Sequence, residues 1–327
     1  MTIERTLLAP GHEISRLIRG GWQLAGGHGP VELSSLNDGF LAFFDAGITT
    51  LDCADIYTGV EAMIGDFRRH LHQQRGGEAL ARLKVHTKFV PDLDRLATLS
   101  RVDVEAIIDR SLSRLGMERL DLVQFHWWDT GVPGAIEAAL HLKALQQAGK
   151  IAHVAGTNFD AAHLRAFAQA GVPLASIQVQ YSLLDRRPAG AFTATAAASG
   201  TSLICYGALA GGFLSDQWLG QADPAASLTN RSLIKYRLII DECGGWDAFQ
   251  ALLVVLDGIA RRHGVPLSAV AARWVLDQPG VAAVIIGARH AGHLPATLAI
   301  ASLQLSPEDH AAIAAVLPPG PQGDVYA

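Results

Sequence analysis

Short apolar runs, often β-branched, alternate along this chain with stretches in which apolar positions recur every three or four residues. The pairs run in order: GITTLD then EAMIGDFRRHL, KVHTKFV then VDVEAIIDRSLSRLG, LDLVQFHW then PGAIEAALHLKALQQAG, IAHVAGTNF then AAHLRAFAQAG. ASIQVQYS, SLICYGAL and VAAVIIGA continue the series, with helical stretches between them. The helical period is plain where Val104, Ile107, Ile108, Leu112 and Leu115 fall on one face. The strand runs are apolar throughout, which marks strands covered on both faces and hence a parallel sheet. Counting ISRLIRGGW as the first gives eight β/α units, and in 327 residues these predict one (β/α)8, or TIM, barrel domain over 1–327. A doubly wound open sheet is the alternative, disfavoured because no G-x-G-x-x-G follows the first strand. ERTLLAPGHEI, with its Pro-Gly turn, predicts a hairpin plugging the barrel floor. The stretch from Gly211 to Gly264 is a long insertion after strand seven, read as loop plus an extra helix.

Composition narrows the function. The net charge is −5, and the basic pairs Arg68-Arg69, Arg186-Arg187 and Arg261-Arg262 never grow into a run, which argues against a nucleic-acid partner. Three cysteines without a CxxC predict reduced thiols and a cytoplasmic setting. MTIERTLLAPGHEI lacks a basic segment followed by an apolar one, so no signal peptide is expected. The most apolar helical stretch, FQALLVVLDGIARR, is interrupted by Asp257 and too short to span a bilayer. A soluble protein with no membrane partner is the expectation; the sequence does not indicate an oligomeric state.

In a barrel the chemistry gathers at the carboxyl ends of the strands. Strand two ends in Asp52 with Tyr57 in its loop, strand three carries Lys88, and strand four delivers His126. Each has an ordinary alternative: a helix cap for Asp52, core packing for Tyr57, a snorkelling stem for Lys88, a satisfied core imidazole for His126. Together they point to a proton donor. A tyrosine, with a reference pKa of about 10, is a poor acid near neutrality. An adjacent Lys88 ammonium is expected to lower it, with Asp52 holding the lysine. His126 could donate a hydrogen bond to a carbonyl oxygen beside Tyr57. Such a set suits carbonyl reduction by hydride, without a metal or a nucleophile. No HExxH or similar ligand spacing supports a metal-dependent hydrolase.

The chain also resembles the aldo-keto reductases over nearly its whole length, through GITTLDCADIYTG, KVHTKF, RSLSRLGMERLDLVQFH, GKIAHVAGTNF, IQVQYSLLDR, YGALAGGFL and VIIGAR in family order. The resemblance implies a catalytic tetrad of Asp52, Tyr57, Lys88 and His126 and a nicotinamide cofactor, taken as NADPH. Its contacts are implied at Gly21, Trp22 and Asp52, at Thr157, Asn158 and Gln178 for the carboxamide, and at Tyr206 for ring stacking. Gly207, Ala208, Leu209 and Gly211 are implied around the pyrophosphate, through the backbone amides of Leu209 to Gly211. Gly287, Arg289, His293 and Thr297 are implied at the adenosine end. His293 and Thr297 replace the family's usual glutamine and asparagine, and Thr157 its usual serine. Trp22, Tyr57, Phe89, His126 and Trp127 are implied to line the pocket for a small carbonyl substrate. A plain surface role for Arg289, and rim packing for the tryptophans, compete with these readings. The second functional class is a regulatory subunit that binds cofactor and turns over slowly, since such relatives keep the tetrad.

Overall fold

The computed structural model describes residues 2–26, 35–321, 323 and 325. Eight parallel strands close into a barrel: β3 (Leu17–Gly20), β4 (Thr50–Asp52), β5 (Lys84–Phe89), β6 (Leu120–Phe125), β7 (Ile151–Thr157), β8 (Ser176–Gln180), β9 (Ser202–Tyr206) and β10 (Val281–Gly287). β10 pairs with both β9 and β3, which closes the ring. Each strand is one of the eight expected apolar runs. The helices α1 (Leu36–Asp45), α2 (Val60–Arg82), α3 (Arg101–Leu115), α4 (Ala135–Gln147), α5 (Ala161–Gln169) and α6 (Ala191–Ala198) follow successive strands. In α3 the Ser100–Asp103 capping box fixes the start, Gly116 at φ 61° ends the helix, and Val104, Ile108 and Leu115 are buried as the period predicts.

The predicted hairpin is present: β1 (Arg5–Ala9) and β2 (His12–Ser15) pair antiparallel beneath the barrel. Leu8 and Ile14 from it pack on Ile18, Leu122, Ala155, Ile204 and Ala283, an apolar layer inside the barrel. Side chains on a strand alternate between faces, so residues two positions further along face the same interior one layer higher. That places Gly20, Gln124, Thr157 and Tyr206 toward the mouth. On β5 the inward residue at this lower level is His86, whose Nε2 is 2.9 Å from Nε2 of His12 on the hairpin. Two positions on is Lys88.

The insertion after the seventh barrel strand departs from its expected form. It holds two helices, α7 (Arg231–Glu242) and α8 (Gly245–His263), together with three short 3-10 turns. α9 (Leu267–Leu276) then leads to the last strand, and α10 (Leu294–Ser302) and α11 (Pro307–Val316) finish the fold. Among the described residues no single helix is long and apolar enough to cross a membrane.

Candidate active site

At the centre of the mouth, Lys88 Nζ donates to Asp52 Oδ2 at 2.7 Å and to the Cys53 carbonyl at 2.8 Å. Both side chains of this ion pair are almost fully buried. Burial alone would depress the ammonium, but the Asp52 carboxylate outweighs it and holds Lys88 above its ordinary range. The other carboxylate oxygen, Asp52 Oδ1, accepts from Gln124 Nε2 and from Gln178 Nε2, each at 2.7 Å. Three donors thus hold one carboxylate, which satisfies a buried charge that would otherwise be costly.

Tyr57 lies over this pair, its ring centroid 5.0 Å from Lys88 Nζ. The expected lowering of its pKa is only half of what acts there. Burial raises the phenol and is the largest influence; the Lys88 charge opposes it without overcoming it. The phenol therefore stays protonated near neutrality. His126, one residue past β6, is partly buried, and burial lowers its pKa, so the ring is neutral near neutrality. Its Nδ1 is 3.4 Å from the Thr157 carbonyl, which can only accept. While that contact is made Nδ1 carries the proton and Nε2 is an acceptor; the other tautomer gives up a long hydrogen bond and makes Nε2 a donor.

The aromatic lining differs from the expected one. Phe89 is wholly buried, tilted against Phe125, and belongs to the core. Trp127 is 2% exposed: its Nε1 donates to the Val132 carbonyl at 2.9 Å and its ring packs on Phe125. Neither presents surface at the mouth. The rings that do are Trp22, 47% exposed and edge-on to Tyr57 at 5.0 Å, and Trp128, 48% exposed and edge-on to His126 at 4.7 Å. Trp128 is fixed by its Nε1 bond to the Pro91 carbonyl.

The residues implied around a cofactor also sort themselves. Gly21 donates from its backbone to the Asp52 carbonyl at 2.7 Å, and a Cβ there would stand 2.9 Å from that oxygen. Thr157 is buried, with Oγ1 3.3 Å from both the Gln178 carbonyl and Asn158 Oδ1. Asn158 holds the left-handed conformation, φ 63°, and its Oδ1 accepts from Tyr206 Oη at 3.4 Å. Gln178 does not offer its amide nitrogen: Nε2 is committed to Asp52 and to Gln124 Oε1. Tyr206 is partly exposed beside Asn158, as a stacking surface requires.

After Tyr206 the backbone turns left-handed at Gly207, Ala210, Gly211 and Gly212. Ala208 is buried, Leu209 partly so, and the Ala210 amide donates to the Gly207 carbonyl at 2.8 Å, which removes it from the three amides expected to face a pyrophosphate. A Cβ on Gly207 would strike Tyr236 Oη of α7 at 2.4 Å, and one on Gly211 the Tyr236 ring at 2.6 Å. The insertion therefore docks on this loop, and Lys235 beside it lies 5.7 Å from the Tyr206 ring centroid.

At the far end, Gly287 faces the Gln23 side chain, Arg289 is exposed and His293 is partly buried. Thr297 is buried with Oγ1 bonded to the His293 carbonyl at 3.0 Å, an arrangement internal to the helix rather than a ligand contact. Gln124, Lys235, Tyr236 and Arg19 were missed from the sequence. Only Gln124 left a usable signal, as a polar residue at an inward position of an apolar barrel strand.

A parallel eight-stranded barrel with a buried Asp–Lys pair under a tyrosine at its mouth defines a class, and the comparisons agree on which. The aldo/keto reductase family model matches residues 16–318, and the chain belongs to that family. It is accordingly an oxidoreductase of a family that uses nicotinamide cofactors. Among its relatives, flagellar radial spoke protein 5 of Chlamydomonas reinhardtii is 31% identical over 68% of this chain, which spans only 49% of that protein. Aldo-keto reductase YhdN of Bacillus subtilis is 29% identical, with 94% of this chain and 91% of that one covered. The NADH-specific methylglyoxal reductase of Escherichia coli is 24% identical, with 90% and 92% covered. The solved glycerol dehydrogenase AKR11B4 of Gluconobacter oxydans shares the fold, with a TM-score of 0.78 at 24% identity over 96% of this chain and 94% of that one.

Proposed function

We propose that this protein reduces aldehydes or ketones to alcohols, with Tyr57 as the proton donor and NADPH as the preferred cofactor. The observation that carries the reading is the buried Lys88–Asp52 pair, 2.7 Å long, beneath the Tyr57 ring. A bound nicotinamide supplies the hydride; the chain's own groups handle the proton and the charge. Tyr57, kept protonated by burial, gives its proton to the substrate oxygen. Lys88 stabilises the phenolate as it forms, and Asp52, fixed by Gln124 and Gln178, keeps the ammonium in place. His126 can orient the carbonyl oxygen from its Nε2–H tautomer. Trp22 and Trp128 flank Tyr57 and His126, so an apolar or aromatic carbonyl compound fits the mouth best.

Residues fit for the cofactor are present: the partly exposed Tyr206 ring beside Asn158, and the left-handed loop from Gly207 to Gly212. NADPH is favoured because Arg289 puts a fixed positive charge at the adenosine end, although a relative is named as NADH-specific. A cytoplasmic setting agrees with three buried, unbridged cysteines. The test is a panel of simple aldehydes and ketones, with consumption of NADPH and NADH followed separately and cofactor affinity measured in parallel. Turnover of aromatic aldehydes with NADPH is the expected result. Tight cofactor binding with no turnover on any substrate would instead indicate a regulatory subunit.

A further inference from the structure

Position 19 interrupts the first barrel strand with a guanidinium. Ile18 enters the barrel interior, so alternation sends Arg19 outward, toward α1. There it is only 2% exposed, with its guanidinium 4.0 Å from the Phe40 ring centroid and 4.8 Å from that of Phe43. Nε donates to the Ala288 carbonyl at 3.3 Å. Nη1 and Nη2, both buried, have no hydrogen-bond acceptor among the described residues. Burial pulls the group down to about 10, and among the described residues no carboxylate acts on it. A lone buried charge is costly unless an opposite charge meets it.

The surroundings suggest what meets it. Residue 39, inside α1, is glycine, which weakens a helix interior relative to alanine. A Cβ there would stand 3.7 Å from Arg19 Nη2 and 3.9 Å from the Ala291 nitrogen, so the missing side chain leaves a gap between α1 and the segment after β10. That segment is exposed at Arg289, His290 and Ala291. The His290 and His293 rings lie 4.4 Å apart, and His293 is held low by burial and then by His290, Arg289 and Arg19. Among the described residues, the groups that act on His293 are all basic side chains.

We propose that Arg19, with the gap left by Gly39 and bounded by Ala291, forms a subsite for a phosphate monoester. Its occupant is the 2′-phosphate of the nicotinamide nucleotide, a step that rests on the cofactor reading above. The subsite itself rests on Nη1 and Nη2 of Arg19, which have no acceptor among the described residues. Two terminal nitrogens of one planar fork can hold two oxygens of a phosphate dianion, and the flanking Phe40 and Phe43 rings keep the fork in place.

The experiment is calorimetric titration of the whole chain with 2′,5′-ADP and with 5′-AMP, which differ only in the 2′-phosphate. In the parent, 2′,5′-ADP should bind about tenfold to a hundredfold tighter, the range for hydrogen bonds to a charged group. Arg19→Met and Gly39→Ala should each bring that ratio to about threefold or less while 5′-AMP affinity holds. Both variants should also melt higher than the parent without ligand, because one removes an unpaired buried charge and the other a mid-helix glycine. A merely structural Arg19 would instead melt lower on substitution and weaken both ligands together. If Arg19→Met keeps the ratio and only Arg289→Ala loses it, the Arg19 subsite is wrong and the NADPH reading survives. If the parent shows no preference, but inorganic phosphate at constant ionic strength raises its melting temperature and not that of Arg19→Met, the subsite stands and the NADPH reading fails. No response to either phosphate source overturns the subsite.

Discussion

His12 and His86 meet nitrogen to nitrogen at 2.9 Å inside the barrel, below the layer that holds Lys88, and both are almost wholly buried. Burial depresses each: His12 to about 2, with His86, His153 and Lys84 adding to the effect, and His86 to about 3, with Lys88 and His153 adding. An imidazole whose folded pKa is below its unfolded value of about 6.5 contributes stability above that value, and loses it as pH falls toward the folded pKa. Between pH 7.5 and pH 5 the unfolded chain takes up a proton at each site that the folded chain refuses. With folded values of about 2 and about 3, each imidazole withdraws about 2 kcal/mol over that window, or about 4 kcal/mol for the pair. Asp55 works the other way, since burial and then Glu61 push it up to about 7 and its contribution grows as pH falls below that. The clean readout is therefore the difference between the parent and His12→Leu/His86→Leu, in which Asp55 cancels. Urea unfolding at the two pH values should show the parent losing about 2–4 kcal/mol more than the variant on acidification. Equal losses in the two proteins would mean that the imidazoles are hydrated or protonated in the folded state, and the buried pair described here would be wrong.

Lys88→Met should lower turnover by at least about 10²-fold and displace the pH–rate profile of what remains; an unchanged profile would uncouple Lys88 from the proton donor. Trp128→Ala should weaken bulky aromatic carbonyl substrates more than small ones, because their buried area falls furthest, and equal losses across a size series would remove Trp128 from the pocket. Trp127→Ala should act on stability, at about 3–5 kcal/mol for a large buried aromatic, with substrate preference retained; a specificity change at full stability would restore Trp127 to the lining.

The barrel was legible because each strand is a short apolar run in a fixed β/α rhythm, and the hairpin because Pro10-Gly11 is a turn signal ahead of the first barrel strand. Asp52, Tyr57, Lys88 and His126 were legible because a polar residue where an apolar run ends is unusual. What holds them was not. Gln124 and Gln178 meet Asp52 from strands 72 and 126 residues away in sequence, so no local pattern reports the contact. The choice between Trp127 and Trp128 fell beyond the end of β6, where alternation no longer applies. It is decided by the Val132 carbonyl, which accepts from Trp127 and draws that ring inward. The insertion reads as loop plus one extra helix, with nothing local to show that Tyr236 of α7 fills the space that Gly207 and Gly211 leave open. A lone Arg19 in an apolar strand gave no hint of lying between two phenylalanine rings.

The central claim, that Tyr57 is the proton donor of a carbonyl reductase, is tested most directly by single-turnover oxidation of bound NADPH with an aromatic aldehyde, in the parent and in Tyr57→Phe. The variant keeps the ring that packs on Trp22 and lacks only the phenol oxygen, so cofactor affinity should hold within about threefold while the rate falls by about 10²–10⁴-fold. A Tyr57→Phe rate within a few-fold of the parent would contradict the assignment and send the search for the proton donor to His126.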